Sequence, residues 1–210
     1  MGTPSGATGL LVGAISYALG VCAPVEPGEM ALPTPCTDWD LRTLITHLGD
    51  SMADLETALR TGRLDEEQAV WEQAPGGTGG APVELLRDRA AALLSASFGS
   101  PGPDRFVAVA GLPMPAGLLV CTGAVEIAVH GWDVSAARGR AGRRGTGGAV
   151  PGSIPEGLAT RMLRLCPLLV AGREGLFAVP VKVPAEVSPG DRLVGYLGRD
   201  PWWPALGTGQ

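Results

Sequence analysis

A glutamate and a histidine stand out chemically in the most apolar part of the chain. Glu126 is the only charged residue between Arg105 and Asp133, and His130 follows it by four residues. An ionised carboxylate is costly to bury without a partner, so we expect a counter-charge close to Glu126. A carboxylate and an imidazole at positions i and i+4 share one helix face and can bind a single metal ion.

The only other histidine of the chain, His47, falls on a strongly amphipathic segment. Apolar side chains recur there with the period of a helix, and His47 lies about 120° from the centre of their stripe. From this flank of the buried face a side chain can reach into a gap between helices. Two histidines and a glutamate leave coordination positions open, which is typical of a catalytic metal site rather than a structural one.

The same residues also have an interpretation without a metal. His47 would then be a partly exposed helix residue, and Glu126 and His130 would form a buried hydrogen-bonded pair. The spacing alone does not decide between the two interpretations. Histidine and carboxylate ligands suit zinc, nickel and iron, so the pattern does not name the metal.

Helices are expected to position these residues, because apolar periodicity, capping residues and prolines delimit five long segments. They span about 8–22, 38–60, 82–99, 116–138 and 155–165, and Ser188 caps a further short helix that ends near Leu197. Extended pieces are predicted at 106–110 and 177–183. The glycine-rich connections at 61–82 and 139–155 are expected to shape the substrate pocket. Because no second core is visible, we predict one all-α domain over residues 1–210.

Composition excludes several classes of function. The net charge of −5 argues against a nucleic-acid partner, which requires a basic face. The uncharged N-terminal segment lacks the basic start of a signal peptide and is too rich in glycine for a membrane span. Four widely spaced cysteines fit neither a zinc ribbon nor a disulfide framework. We therefore expect a cytoplasmic monomer or homodimer with no membrane partner.

Two longer motifs resemble a known family. Residues 33–48, PTPCTDWDLRTLITHL, and residues 126–134, EIAVHGWDV, are similar to signatures of the DinB-like metal-binding proteins related to mycothiol-dependent maleylpyruvate isomerase. Residues 191–202 resemble the C-terminal ending of that family. The resemblance implies an up-and-down four-helix bundle with long loops and a short extended or helical C-terminal tail. It also implies a divalent metal, with zinc favoured over nickel or iron, held by His47, Glu126 and His130.

The resemblance further implies mycothiol, a low-molecular-weight thiol of actinobacteria, as cosubstrate. An actinobacterial source agrees with the basic residues, since all but one of the 16 are arginine. The leading hypothesis is a metal-dependent isomerase or S-transferase that presents the thiol to a small electrophilic substrate, with Glu126 and His130 at the reacting centre. Two hypotheses remain beside it: a thiol-independent hydrolase, lyase or cyclase, and a metal-binding or small-molecule-binding protein without turnover.

Three further residues of the same motifs carry chemical groups. Arg42 is a candidate catalytic residue that would bind a substrate carboxylate, although it lies about 140° from His47 on the helical wheel, which favours a structural role. Asp133 pairs with Arg42, orients a ligand imidazole or caps a kink at Gly131. Cys36 is interpreted as structural, because no histidine remains to act as its base.

Overall fold

The computed structural model describes residues 6–64, 82–99, 105–142, 152–169 and 178–203. These residues form six α-helices and a small sheet. The helices are α1 Gly6–Cys22, α2 Leu41–Thr61, α3 Pro82–Gly99, α4 Ala116–Gly142, α5 Glu156–Leu169 and α6 Pro189–Tyr196. The strands are β1 Arg63–Leu64, β2 Phe106–Val109 and β3 Leu112–Pro115, and a 3-10 helix spans Pro27–Glu29. Each of the two predicted glycine-rich connections, 61–82 and 139–155, lies for the most part outside the described residues.

Helices α1 to α4 build the core. Helix α4 packs against α1 and α2, and α2 also packs against α3. Each of the four helices contributes large side chains that are fully buried, among them Leu11, Ile15, Leu44, Leu48, Met52, Leu86, Leu93 and Ile127. The fold is therefore mostly helical, as predicted, and it places the helix of His47 directly beside the helix of Glu126 and His130.

The sheet corrects the all-α prediction. Strands β2 and β3 form an antiparallel hairpin, and β1 pairs with β2 in parallel. The hairpin turns through Ala110 and Gly111, both with positive φ, which is the backbone that a tight hairpin requires. Sequence reasoning missed β3, because its Pro113 and Pro115 read as loop residues. Prolines are tolerated there because β3 lies at the edge of the sheet.

Helix α2 begins later than predicted. The Asp40 side chain caps it by accepting a hydrogen bond from the Thr43 N–H at 2.8 Å, so the helix starts at Leu41 rather than near residue 38. Gly62, in the left-handed conformation with φ of 79°, ends it. Both ends are thus fixed by local chemistry, which sets the register of His47 on the helix.

Helix α4 is the most enclosed helix, and residues 127–137 are all buried. Gly131 lets α1 approach closely, since a Cβ there would lie 3.2 Å from the Cα of Ala18. Among the described residues, Ala116–Gly139 is the one helix long and apolar enough to cross a membrane by length and composition. Because 67% of its most apolar window is buried inside the protein, these properties equally describe a core helix.

The C-terminal segment 178–203 folds back onto the bundle. Its helix α6 is capped by Ser188, as predicted, whose hydroxyl accepts from the Asp191 N–H at 3.1 Å. Gly198 has a φ of 84°, and a Cβ there would lie 2.7 Å from the Ala178 carbonyl oxygen. Only glycine fits this tight turn. The turn places Arg199 in the same cleft as the two histidines.

Candidate metal centre

A cleft of about 420 Å³ brings together all three predicted metal ligands. Its walls come from the turn before α2, from α2 and α4, and from the C-terminal segment. The lining residues are Pro35, Cys36, Thr37, Trp39, His47, Glu126, His130, Ala178, Gly198 and Arg199. We call this space the metal cleft.

The two histidine rings meet across the interface of α2 and α4. Their centroids are 5.0 Å apart and the rings are nearly perpendicular, at 84°. Trp39 packs against both rings, with its centroid 4.6 Å from that of His47 and 6.1 Å from that of His130. The flank position predicted for His47 thus places it opposite the pair on α4.

His130 has a defined orientation because it contacts a carboxylate on each side. Its Nδ1 lies 3.0 Å from Oδ2 of Asp133, and its Nε2 lies 3.9 Å from Oε1 of Glu126. Asp133 as a carboxylate can only accept, so Nδ1 carries a proton, and Nε2 is the ring nitrogen on the Glu126 side. This is the usual arrangement of a metal-binding imidazole that a second carboxylate orients.

Glu126 has an atom that a cation would satisfy. Its Oε2 is buried and has no hydrogen-bond partner within the described ranges. An unpartnered buried carboxylate oxygen of a residue that lines the same cleft as two histidines suits a divalent cation, because histidine nitrogen and carboxylate oxygen are common ligands of zinc, nickel and iron.

Asp133 remains ionised although it is fully buried. Burial by itself would raise the pKa of this carboxyl, but the Arg199 guanidinium and the hydrogen bond with His130 hold the pKa below its usual value. Nη2 of Arg199 lies 3.2 Å from Oδ2 of Asp133. The pair of Asp133 and Arg199 therefore connects the C-terminal segment to the ligand His130.

Cys36 lies inside the metal cleft but is a poor nucleophile. Its Sγ is 3.3 Å from Oδ2 of Asp133 and 3.9 Å from Nδ1 of His130. Burial, together with the negative charge of Asp133, raises the pKa of the thiol. The thiol therefore stays protonated and donates to Asp133, which supports the interpretation of Cys36 as structural.

Within the described part of the chain, one group of three possible ligands has its ligand atoms all close together, and it includes His130 but neither His47 nor Glu126. Sγ of Cys36, Nδ1 of His130 and an oxygen of Asp133 all lie within 4.8 Å of one another. Nη2 of Arg199, however, is 3.8 Å from that sulfur and 3.2 Å from Asp133, so a cation there would meet the guanidinium. A cation on the Nε2 side of His130 leaves the ion pair intact. The assignment of His47, Glu126 and His130 as the ligand set stays a prediction from the sequence.

His47 is held in the neutral form that binds metals. Burial, with further contributions from His130 and Arg199, lowers the pKa of His47 to about 3. The Ser51 hydroxyl donates to the His47 carbonyl at 3.0 Å and lies 3.5 Å from Nε2. A metal would therefore not need to displace a proton from His47 at neutral pH.

We expect acid to destabilise the metal-free protein through His47. The unfolded chain protonates His47 near its ordinary pKa of about 6.5, whereas the folded protein keeps it neutral down to a pKa of about 3. The unfolded state thus binds more protons in this window, so the free energy of unfolding falls as the pH decreases from about 6.5 toward 3.

Urea denaturation of the metal-free protein at about pH 7 and about pH 5 measures this loss. The matched variant His47→Gln cannot titrate and should lose less stability between the two pH values. An equal loss in the variant and the wild type would contradict the assignment to His47.

Arg42 is the candidate that the structure does not bring to the metal cleft. Its side chain is exposed and does not line the cleft. Its backbone N–H donates to the Met30 carbonyl at 2.9 Å, which fixes the start of α2. Asp133 pairs with Arg199 and not with Arg42. A catalytic role for Arg42 stays a prediction without support from the geometry.

Arg199 is the functional residue that sequence reasoning missed. Although burial by itself would lower the pKa of its guanidinium, the carboxylate of Asp133 keeps that pKa above its ordinary value. Nη1 also donates to the Leu197 carbonyl at 3.1 Å. Arg199 lies 66 residues from Asp133 in the chain, so no local pattern could pair them.

Much of this chain matches one protein family. The model of the mycothiol maleylpyruvate isomerase N-terminal domain matches residues 14–135, more than half of the chain, and the match contains all three candidate ligands. The chain belongs to this family. The mycothiol maleylpyruvate isomerase N-terminal domain family is DinB-like, metal-binding and associated with mycothiol, which confirms the resemblance seen in the sequence. The part of the metal cleft formed by Ala178, Gly198 and Arg199 lies beyond the matched residues.

Similar proteins add little about activity. Two uncharacterized proteins from two strains of Mycobacterium tuberculosis are each 25% identical to this chain over 186 residues, covering 84% of this chain and 88% of their own length. No solved structure gives a significant match. The family is thus established by its domain model, whereas the reaction has to be argued from the site.

Proposed function

We propose that this protein is a metal-dependent enzyme that uses mycothiol as the nucleophile toward a small electrophilic substrate, with isomerase or S-transferase activity. The observation that carries the proposal is the meeting of His47, Glu126 and His130 in one cleft, with Oε2 of Glu126 buried and unpartnered among the described residues. A zinc ion is the favoured occupant, and nickel or iron would suit the same donors.

A divalent cation held by these three residues would favour the thiolate form of a bound thiol at neutral pH. The residues of the chain prepare the site for it. Asp133 orients the ring of His130, and burial keeps His47 neutral. Trp39 packs over both rings and limits their movement. These contacts reduce the reorganisation needed when the ligand set closes around the ion.

The metal cleft has the size of a small-molecule pocket. Its volume of about 420 Å³ lies in the range of about 300–1,000 Å³ that is common for ligand pockets. Addition of the thiolate to an activated double bond forms a C–S bond, and its later elimination returns the thiol and an isomerised product. Addition without elimination, followed by protonation of the carbanion, yields the S-conjugate.

The state of the cysteines supports a reducing compartment. Cys22, Cys36 and Cys121 are free thiols, and burial raises the pKa of each of them, that of Cys22 to about 12. Protonated buried thiols are typical of proteins that function where small thiols remain reduced. We therefore propose a cytoplasmic location, where a thiol cosubstrate would be available as a nucleophile.

Metal analysis combined with a thermal shift titration tests the proposal. We expect about one divalent ion per chain, and we expect mycothiol to raise the melting temperature of the metal-loaded protein. At about 100 times its Kd a ligand stabilises the folded state by about 2.7 kcal/mol, which gives a readily measured shift. The shift should disappear when a chelator removes the metal.

The alternative functions correspond to other outcomes. A mycothiol shift that survives chelation would contradict a metal-bound thiol. Turnover of a test electrophile that is unchanged without mycothiol would favour the hydrolase, lyase or cyclase hypothesis. Metal binding without turnover of any electrophile in a panel, with or without mycothiol, would favour a binding protein.

A further inference from the structure

A small recess adjoins the metal cleft. It has a volume of about 40 Å³, and Glu126 lines both spaces. Leu55 of α2, Leu64 of β1 and Leu119 of α4 line it together with Ser51, Asp54, Thr122, Gly123 and Glu126, and the surface that these residues expose to it is almost wholly apolar. Such a surface excludes charged and hydroxyl-bearing groups, because burying them without hydrogen bonds is costly. We call this space the apolar recess.

The apolar recess is connected to two of the candidate metal ligands. Glu126 forms part of its wall directly, and its buried Oε2 has no partner within the described part of the chain. Ser51 also lines the recess, and its hydroxyl lies 3.5 Å from Nε2 of His47. The recess and the metal cleft therefore share Glu126 as a common wall.

Gly123 shapes the wall of the apolar recess. A Cβ at this position would lie 2.5 Å from Cδ2 of Leu55, so any side chain would displace Leu55, which also lines the recess. Glycine in the middle of a helix is otherwise unfavourable. Its absence of a side chain here leaves room for Leu55.

We propose that the apolar recess is a subsite for a short, unbranched apolar group of the molecule that binds in the metal cleft. A cavity needs about 10–15 Å³ to hold one water molecule. The recess, with about 40 Å³, therefore accommodates a group of roughly ethyl to propyl size. The ligand therefore combines a metal-binding head with a short alkyl or thioether arm. This inference rests on the part of the proposed function that places a metal in the cleft. It does not depend on the use of mycothiol.

Xenon binding to the metal-free protein tests the recess itself. Xenon enters small dry apolar cavities, and we expect a shifted xenon NMR signal for the wild type that is lost in Gly123→Ala. The matched control is Gly20→Ala, because Gly20 also lies in a helix but has nothing within 4 Å of its Cβ position. Equal xenon binding in wild type and Gly123→Ala, or none in the wild type, would overturn the proposal.

A series of straight-chain alkylhydroxamic acids tests the recess as a subsite. Their head group binds divalent metals through two oxygens and requires no thiol, and the absorption of Co²⁺ in the loaded protein reports binding. Each added methylene should lower Kd about fourfold until the recess is full. The Gly123→Ala variant should bind every member with nearly the same Kd, whereas Leu55→Ala should extend the gain to longer chains.

The outcomes separate this inference from the proposed function. If the affinity of the wild type for the hydroxamic acids does not depend on the length of their alkyl chain, the subsite proposal is overturned even if mycothiol binds. A chain-length gradient that Gly123→Ala removes would support the subsite even if mycothiol fails to bind. If the protein holds neither Co²⁺ nor another divalent ion, the proposed function and the subsite both fail, and the xenon comparison then shows only whether the recess admits a small apolar guest.

Discussion

Replacing His130 with alanine is expected to abolish stoichiometric metal binding. His130 is the one residue common to both possible ligand sets, and it lies at the centre of the metal cleft. Loss of a residue that only orients a ligand costs roughly 10–100-fold in metal affinity, so loss of a ligand itself should cost more. Competition with a chromogenic chelator, together with metal analysis of the dialysed protein, measures the change.

Three further variants decide which side of His130 holds the ion. We expect His47→Ala and Glu126→Gln to lose the metal as well, and Cys36→Ala to keep it. The reverse pattern would assign the ion to Cys36, His130 and Asp133. Since Cys36 donates to Asp133 and not to the favoured site, its loss should leave the ligand geometry unchanged. Far-UV circular dichroism of each variant establishes that the helices remain folded.

The second large effect is expected from the buried ion pair of Asp133 and Arg199. Asp133 is fully buried, and the Arg199 side chain is 14% exposed. The substitution Asp133→Asn would leave the guanidinium without its counter-charge, and breaking a buried pair typically costs about 3–5 kcal/mol. Urea denaturation of the metal-free protein should show a loss of this size.

The same substitution should also weaken metal binding, because Asp133 orients His130 through Nδ1. An affinity loss of about 10–100-fold is expected for such a residue. The double variant Asp133→Asn with Arg199→Met removes both charges and should recover part of the lost stability but not the lost affinity. That difference distinguishes the positioning role of Asp133 from a purely structural one.

An exposed ion pair provides the control for these measurements. Arg60 and Glu56 lie one turn apart on α2, 2.9 Å from each other, and the Arg60 side chain is 66% exposed. The substitution Glu56→Gln should cost no more than about 0.5 kcal/mol, because solvent screens such a pair. A comparable loss in both variants would contradict the assignment of a buried, functionally connected pair.

The candidate ligands could be predicted because their signal is local. Glu126 and His130 lie one helical turn apart, and the scarcity of charge around them marks the glutamate as exceptional. His47 could be placed on the flank of its helix from periodicity alone. The helices were found for the same reason, since a repeating apolar pattern covers several turns. Strand β3 was missed because its prolines contradict the usual pattern of a strand.

The residues around the ligands could not be predicted in this way. Asp133 had three possible roles in the sequence, and Arg42 was its only named charged partner. The structure pairs it with Arg199, which is distant in the chain and arrives through a turn that only Gly198 permits. Cys36 was interpreted as structural in the sequence, and its place against Asp133 depends on how the turn before α2 folds back over α4.

The sequence by itself therefore determined the helices, the three candidate ligands and the resemblance to a metal-binding family. These properties depend on residue type and on spacing within one or two helical turns. Only the tertiary structure decided which nitrogen of His130 faces Glu126, that Arg199 neutralises Asp133, and that a recess opens beside Gly123. Those properties arise from contacts between segments distant in the chain, and the packing of the bundle, not the local pattern, sets their distances.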